Sequence, residues 1–301
     1  MRLCERESYH GWQDEDMMGA SSGTTDSLAQ VGHVVAVGSG KGGVGKSTVS
    51  VNLALALARA RARVGLIDAD IYGPNLPLML GVTAMPRSVG QHLVPVDVHG
   101  VRLMSMQFFL QGDQPVIWRG PMVHGVVRQF LGEVQWGALD YLIVDLPPGT
   151  GDVQLTLTQE IPLSGAVIVT TPQEVALLDA RKAIAMFHKA GVPILGVVEN
   201  MTAYQCPHCG QGSEIFGAGG GRRLADELGV PLLGSLPLDP SLARESDAGR
   251  PPVLVRPQEP LAAVFESITR AVQARLAEIA RNRPYHLPVV DEAGGSGKGT
   301  T

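Results

Sequence analysis

The sequence predicts an α/β protein: a mostly parallel β-sheet with helices on both faces. Three observations predict it. Apolar runs rich in Val, Ile and Leu recur along the chain, continuous rather than alternating, as strands buried on both faces require. Segments with helical spacing of apolar residues separate several of them, which is the pattern of parallel strands joined by crossover helices. Finally, a glycine loop, three aspartates and an asparagine fall just after predicted strands. Right-handed crossovers bring these strand ends to one rim, where open α/β sheets bind ligands.

Taken in order, residues 1–30 mix charges with a Gly-Ala-Ser-Ser-Gly-Thr-Thr run and show no periodicity, so a disordered tail is expected, with Cys4 incidental in it. A strand over Val34–Val37 leads through glycines into an Ala- and Leu-rich helix from about Gly45 to Arg61. Arg63–Ile67 is the second strand. Val94, Val96 and Val98 alternate with polar or proline positions and predict short strands or a hairpin, and Val101–Met106 predicts another strand. Pro121 suits the first position of a helix running to about Val134. Tyr141–Asp145, Ala166–Val169 and Ile194–Val198 are further strands, with a helix over Glu174–Lys189, and Leu232-Leu233 is a short one. Leu261, Val264, Phe265, Ile268, Val272, Leu276 and Ile279 share one face of a last helix ending near Ala280. With no internal repeat or linker, residues 31–283 are expected to form one domain, followed by a flexible polar tail over 284–301.

Composition narrows the function. A hydrophobic content of 45% permits a substantial core, and a net charge of −5 disfavours a general nucleic-acid or anionic-membrane binder. Three cysteines in 301 residues are no disulfide framework. No apolar run reaches the length of about 18 residues that suggests a membrane span, and the N-terminus reads as neither signal nor transit peptide. The expectation is a cytoplasmic protein with no nucleic-acid and no membrane partner.

The chemistry starts at Gly40–Ser47, Gly-Lys-Gly-Gly-Val-Gly-Lys-Ser, which fits G-x-x-x-x-G-K-[ST] between a strand and a helix. Glycines at 40, 42, 43 and 45 let the backbone turn so that successive N–H groups, Val44 and Thr48 included, cradle a polyphosphate at a helix N-terminus. Lys46 reaches the β- and γ-phosphates, and the Ser47 hydroxyl joins a Mg²⁺ shell. Asp145, ending a strand, and Asp68 are the expected carboxylates around that Mg²⁺; Asp70, on the loop beyond, is the choice to orient the attacking water. Lys41 adds a second lysine, a crowding of positive charge that bound phosphates would offset.

This double-lysine loop resembles the deviant Walker A loop of P-loop NTPases of the MinD/ParA, arsenite-pump and nitrogenase-iron-protein superfamily. The resemblance implies that Lys41 crosses a homodimer to the partner's ATP, and that Asp68–Asn75 and Asp145–Asp152 are switches. It also implies that Asn200 reads the adenine, with Pro237 and Asp239 in the segment closing its other face.

Cys206-Pro-His-Cys209 adds two cysteines at metal-ligand spacing, a pattern shared by zinc sites, iron–sulfur sites and redox dithiols. One pair supplies two of four ligands, and a symmetric dimer would complete the set. Together with Asp-Ala-Asp-Ile-Tyr-Gly-Pro (68–74), Val-Ile-Trp-Arg-Gly-Pro (116–121), Asp-Leu-Pro-Pro-Gly-Thr-Gly-Asp (145–152), Glu-Asn-Met (199–201) and Glu-Ile-Phe-Gly (214–217), the pair makes the chain similar to the Mrp/ApbC-type iron–sulfur cluster carrier ATPases over about Val31 to Ala280. The resemblance implies a [4Fe–4S] cluster bridging two subunits through Cys206 and Cys209. It further implies ATP-dependent transfer to apo iron–sulfur proteins, and contact with cluster-assembly factors. Many such carriers place a small domain, and eukaryotic ones a four-cysteine site, ahead of the ATPase; here a short tail with Cys4 stands there. The competing readings are a MinD/ParA-like positioning ATPase, and an ATPase with structural zinc at the same cysteines.

Overall fold

The computed structural model describes residues 27–282 apart from Gln91, residues 110–119 and Pro207, with backbone only over 120–124. Residues 1–26 of the expected N-terminal tail, with Cys4, the C-terminal tail and residues 116–119 lie outside these; residues 27–30 of that expected tail instead form a turn, with Leu28 packed against the core and Ser27 Oγ donating to Leu131 O. The first half of the chain forms β1 (Val31–Gly38), α1 (Lys46–Arg59), β2 (Val64–Asp68), α2 (Leu76–Met79), β3 (Arg87–Val89), β4 (His92–Val94), β5 (Val96–Val98), β6 (Val101–Ser105), α3 (Gly120–Gly132) and β7 (Leu139–Asp145). The second half forms α4 (Asp152–Glu160), β8 (Gly165–Thr170), α5 (Glu174–Lys189), β9 (Ile194–Glu199), β10 (Tyr204–Gln205), β11 (Gly212–Ser213), α6 (Gly220–Leu228), β12 (Leu232–Ser235), α7 (Pro240–Asp247), α8 (Pro252–Val255) and α9 (Pro260–Asn282).

Eight strands build the main sheet in the order β12-β9-β8-β1-β7-β2-β6-β5. All neighbours run parallel except the edge strand β5, which folds back as a hairpin on β6. Alternation along each strand divides the core in two. Val34 and Ala36 face the layer of α3, α4, α5 and α6, whereas Val35 and Val37 face α1, α8 and α9. This is why the strands read as unbroken apolar runs: each face has its own helical cover.

Five helices escape the sequence pattern. In α4 the apolar residues Val153, Leu155 and Leu157 alternate like a strand, and the helix instead buries Gln154, Leu157 and Thr158. The glycine-led start of α6 argues against a helix, yet the Glu199 carboxylate accepts the Gly221 N–H at 2.8 Å while Leu224 and Ala225 pack below. The remaining three, α2, α7 and α8, are short and carry Pro77, Pro240 and Pro252 in their first turns.

Register aligns the functional rim. Val37 pairs with Asp145, Asp145 with Asp68, and Asp68 with Ser105, so four adjacent strands end in one row.

Candidate functional site

From β1 the chain turns through Gly43 (φ 80°) and Gly45 (φ 88°), left-handed conformations that glycine adopts without penalty, and enters α1 at Lys46. The first turns of α1 then address a single carboxylate. Asp145 Oδ2 accepts from Lys46 Nζ at 2.7 Å and from Ser47 Oγ at 2.8 Å, and its Oδ1 accepts from Ser50 Oγ at 2.6 Å. Asp145 is fully buried, so these partners offset the cost of its charge. Lys46 also lies 3.6 Å from Asp70 Oδ2. The other oxygen of Asp70 accepts the N–H groups of Tyr72 and Gly73, a turn that holds the carboxylate at the rim.

Asp68, beside Asp145 and equally buried, takes Leu76 N–H at 3.0 Å and Ser105 Oγ at 2.9 Å on Oδ2. Burial and the neighbouring Asp145 charge nevertheless push its carboxyl up to about 7, because Lys46 and those hydrogen bonds compensate only in part. Three carboxylates around one lysine leave the rim short of positive charge, and their donors are hard oxygens beside the Ser47 hydroxyl. Ser47 would ligate a Mg²⁺ ion carried in with phosphates, and Asp145 and Asp68 would hold its waters rather than bind the ion directly.

The raised Asp68 carboxyl has a consequence for stability. The folded state binds this proton more tightly than the unfolded chain (ordinary value 3.8), so the protonated form contributes stability that is lost as pH climbs from about 4 to about 7. At ~1.4 kcal/mol per unit the loss is at most roughly 4 kcal/mol. Asp68→Asn should flatten the fall of the thermal midpoint between pH 5 and 8. If the variant loses as much as the parent protein, the titrating group is another one.

Gly40 approaches α5 so closely that a Cβ there would lie 2.1 Å from the Asp179 carbonyl carbon, whereas one on Gly43 would meet nothing within 4 Å. Gly40→Ala is therefore expected to cost ~3 kcal/mol and Gly43→Ala only the ~1–2 kcal/mol of a left-handed alanine, read from urea midpoints. Equal losses would rule out the α5 contact as the cause. Gly42 faces Pro148 across the gap between the phosphate loop and the Asp145 loop, and the Gly149 N–H donates to Ser39 O at 3.0 Å, so these two loops touch. Lys41 is half-buried, and its ammonium has no hydrogen-bond or ion-pair partner among the described residues. Thr48 lies in the first turn of α1.

Asn200 is 2% exposed, and its amide donates to Val44 O at 2.9 Å, beneath the phosphate loop. Asp239 caps α7 by accepting Ser241 N–H at 2.8 Å, with Pro237 half-buried two residues before it. The sequence reading missed Ser50 and Ser105, which fasten Asp145 and Asp68. A buried serine in the first turns of α1, and another ending a buried strand, were the available signals.

Cys206 and Cys209 sit at the tip of a small hairpin made by β10 and β11, with Tyr204 opposite Ser213. Cys206 N–H donates to Gln211 O and Gly210 N–H to Cys206 O, closing the turn. Both thiols are free, Cys206 half-buried and Cys209 exposed. Backbone N–H groups of Cys209 and His208, then the Cys209 thiol, hold the Cys206 thiol below its ordinary value, toward the thiolate that binds metals. Among the described residues no group of three or more His, Cys, Asp or Glu side chains is poised to hold a metal ion, and no helix is long and apolar enough to cross a membrane.

Residues 30–273 match the family model described as ParA, NUBPL iron-transfer P-loop NTPase. An iron–sulfur cluster carrier protein from Synechocystis is 52% identical over 260 residues, spanning 84% of this chain and 74% of the relative. Its namesake from Escherichia coli is 49% identical over 248 residues, 82% of this chain and 67% of the relative. Of solved structures, a nucleotide-binding protein from Archaeoglobus fulgidus in complex with ADP gives a TM-score of 0.71 at 39% identity, covering 81% of this chain and 96% of that one. The septum site-determining protein MinD from Pyrococcus horikoshii gives 0.62 at 24% identity, over 83% and 99% of the two chains, a likeness of fold.

Proposed function

The chain belongs to the ParA family as an iron-transfer P-loop NTPase of the NUBPL kind, and on that footing we propose that it is an ATP-hydrolysing carrier of iron–sulfur clusters. It holds its cargo, a [4Fe–4S] cluster, between two identical subunits and passes it to apo iron–sulfur proteins in the cytoplasm, fed by cluster-assembly factors. Residues 31–283 are its ATPase domain. One observation carries the cargo assignment: a thiol pair on an exposed hairpin tip, six residues beyond Asn200, that is half a ligand set. A two-fold axis through that tip doubles two thiolates to four.

Loop N–H groups and Lys46 bind the triphosphate, and Lys46 shifts its charge from Asp145 toward the γ-phosphate as hydrolysis proceeds. Lys41 reaches the partner's nucleotide, so turnover requires the dimer. Asp70, 3.6 Å from Lys46, orients the attacking water. Mg²⁺, when bound with ATP, neutralises phosphate charge. Asn200, with Pro237 and Asp239, encloses the adenine. Similarity to MinD supports the fold but not a positioning role.

Anaerobic purification tests the proposal. One [4Fe–4S] cluster per pair of chains on a sizing column is the expected result; stoichiometric zinc, or a cluster held by a single chain, overturns it.

A further inference from the structure

The Asn200 amide joins two parts of the molecule that must act together, and nothing in the proposed chemistry yet uses its contact. Its Nδ2 donates to Val44 O, the carbonyl of the Val44–Gly45 peptide. In a trans peptide the N–H points opposite the C=O, so holding this carbonyl aims the Gly45 N–H away from Asn200. The approach is tight, since a Cβ on Gly45 would lie 2.2 Å from Asn200 Nδ2. The carboxamide oxygen is engaged as well, accepting the Met201 N–H at 2.9 Å.

Met201 has φ 59°, a left-handed conformation that residues with a Cβ seldom adopt. From there the chain to the thiols is tied down at each step. Thr202 donates through both N–H and Oγ1 to Leu236 O, and Leu238 N–H donates to Ala203 O at 2.8 Å. Tyr204 bridges to Leu238 and opens the hairpin that carries Cys206. On the other side, Asn200 N–H is anchored to Thr170 O at 2.8 Å.

We propose that Asn200 and Met201 form a relay through which a triphosphate in the loop repositions the Cys206/Cys209 hairpin. Phosphate oxygens recruit the Gly45 N–H and turn its peptide plane. The Val44 carbonyl turns with it and draws the Asn200 carboxamide. Met201 then loses the acceptor that holds its N–H and leaves the left-handed region, moving the tied segment Thr202–Cys206. Asn200 and Met201 are positioning residues here, distinct from any contact of Asn200 with the base. The relay rests on the reading of Cys206 and Cys209 as the cargo site, and its test needs no iron.

The experiment measures alkylation of the reduced, iron-free full chain by N-ethylmaleimide, with peptide mass spectrometry separating Cys206 and Cys209 from Cys4. Rates are compared with and without saturating Mg²⁺ and the β,γ-imido analogue of ATP, occupancy being checked by equilibrium dialysis. The parent protein should change its rate at Cys206 by about fivefold or more, the lower end of couplings between sites. Met201→Gly keeps φ near 59° at no penalty, so it folds but removes the drive to relax; its ratio at saturation should fall to about 1. Asn200→Ala, at the higher concentration its weaker binding requires, should also give a ratio of about 1. No rate change in the parent protein overturns the relay. So does a full response in either variant, since a partner subunit merely covering the thiols would protect them whatever stands at 200 or 201. Loss of cluster binding in the anaerobic preparation with the thiol response intact would instead remove the cargo reading and leave the relay standing.

Discussion

Lys46→Ala should lower ATP turnover about 10²–10³-fold, as removal of one fixed donor from a developing charge does. The side chain is 6% exposed, and its ammonium lies 2.7 Å from Asp145 and 3.6 Å from Asp70, within reach of both carboxylates and of the loop mouth. Alanine also strips a fully buried carboxylate of its cation, leaving the Ser47 and Ser50 hydroxyls as its donors. Breaking a buried pair costs ~3–5 kcal/mol, so phosphate release should be measured beside a urea melt. Lys46→Gln keeps an N–H donor for Asp145 and should recover part of the stability but none of the turnover. Unchanged hydrolysis in either variant would remove Lys46 from the chemistry. Lys41→Ala should behave differently: with no partner among the described residues, its loss should leave stability within about 0.5 kcal/mol while turnover falls.

Cys206→Ala and Cys209→Ala should each reduce iron retained after anaerobic desalting by more than about a hundredfold, since even indirect partners of metal ligands are worth 10–100-fold. Both thiols stand on a hairpin of two paired positions, outside the buried clusters. Stability and nucleotide affinity should therefore stay close to those of the parent protein, within about 0.5 kcal/mol. Normal iron content in both variants would place the cargo elsewhere. Iron lost together with the fold would make the cysteines structural.

The fold was legible wherever burial imposed a period. Continuous apolar strands and the regular stripe of α9 announced themselves because both faces of the sheet and one face of that helix are covered. Helix α4 did not, since it buries Gln154 and Thr158 and displays an alternation suited to a strand. Helix α6 did not, since its start depends on a carboxylate twenty-two residues earlier in the chain. The loop motif was readable because its residue types stand at local spacing between a strand and a helix, and Asp145 because it closes a buried apolar strand. The serines that fasten the aspartates were not, because Ser50 meets Asp145 only across 95 residues and Ser105 meets Asp68 across 37.

By itself, then, the sequence determined the sheet class, the phosphate loop and the thiol pair, all properties of contiguous residues whose chemistry is set by neighbours along the chain. Tertiary structure alone decided which carboxylate Lys46 meets, why Asp68 holds its proton, and that Asn200 lies under the loop. The reason is physical: ionisation and hydrogen-bond choice depend on burial and on groups brought in from distant strands, and strand order and register decide those.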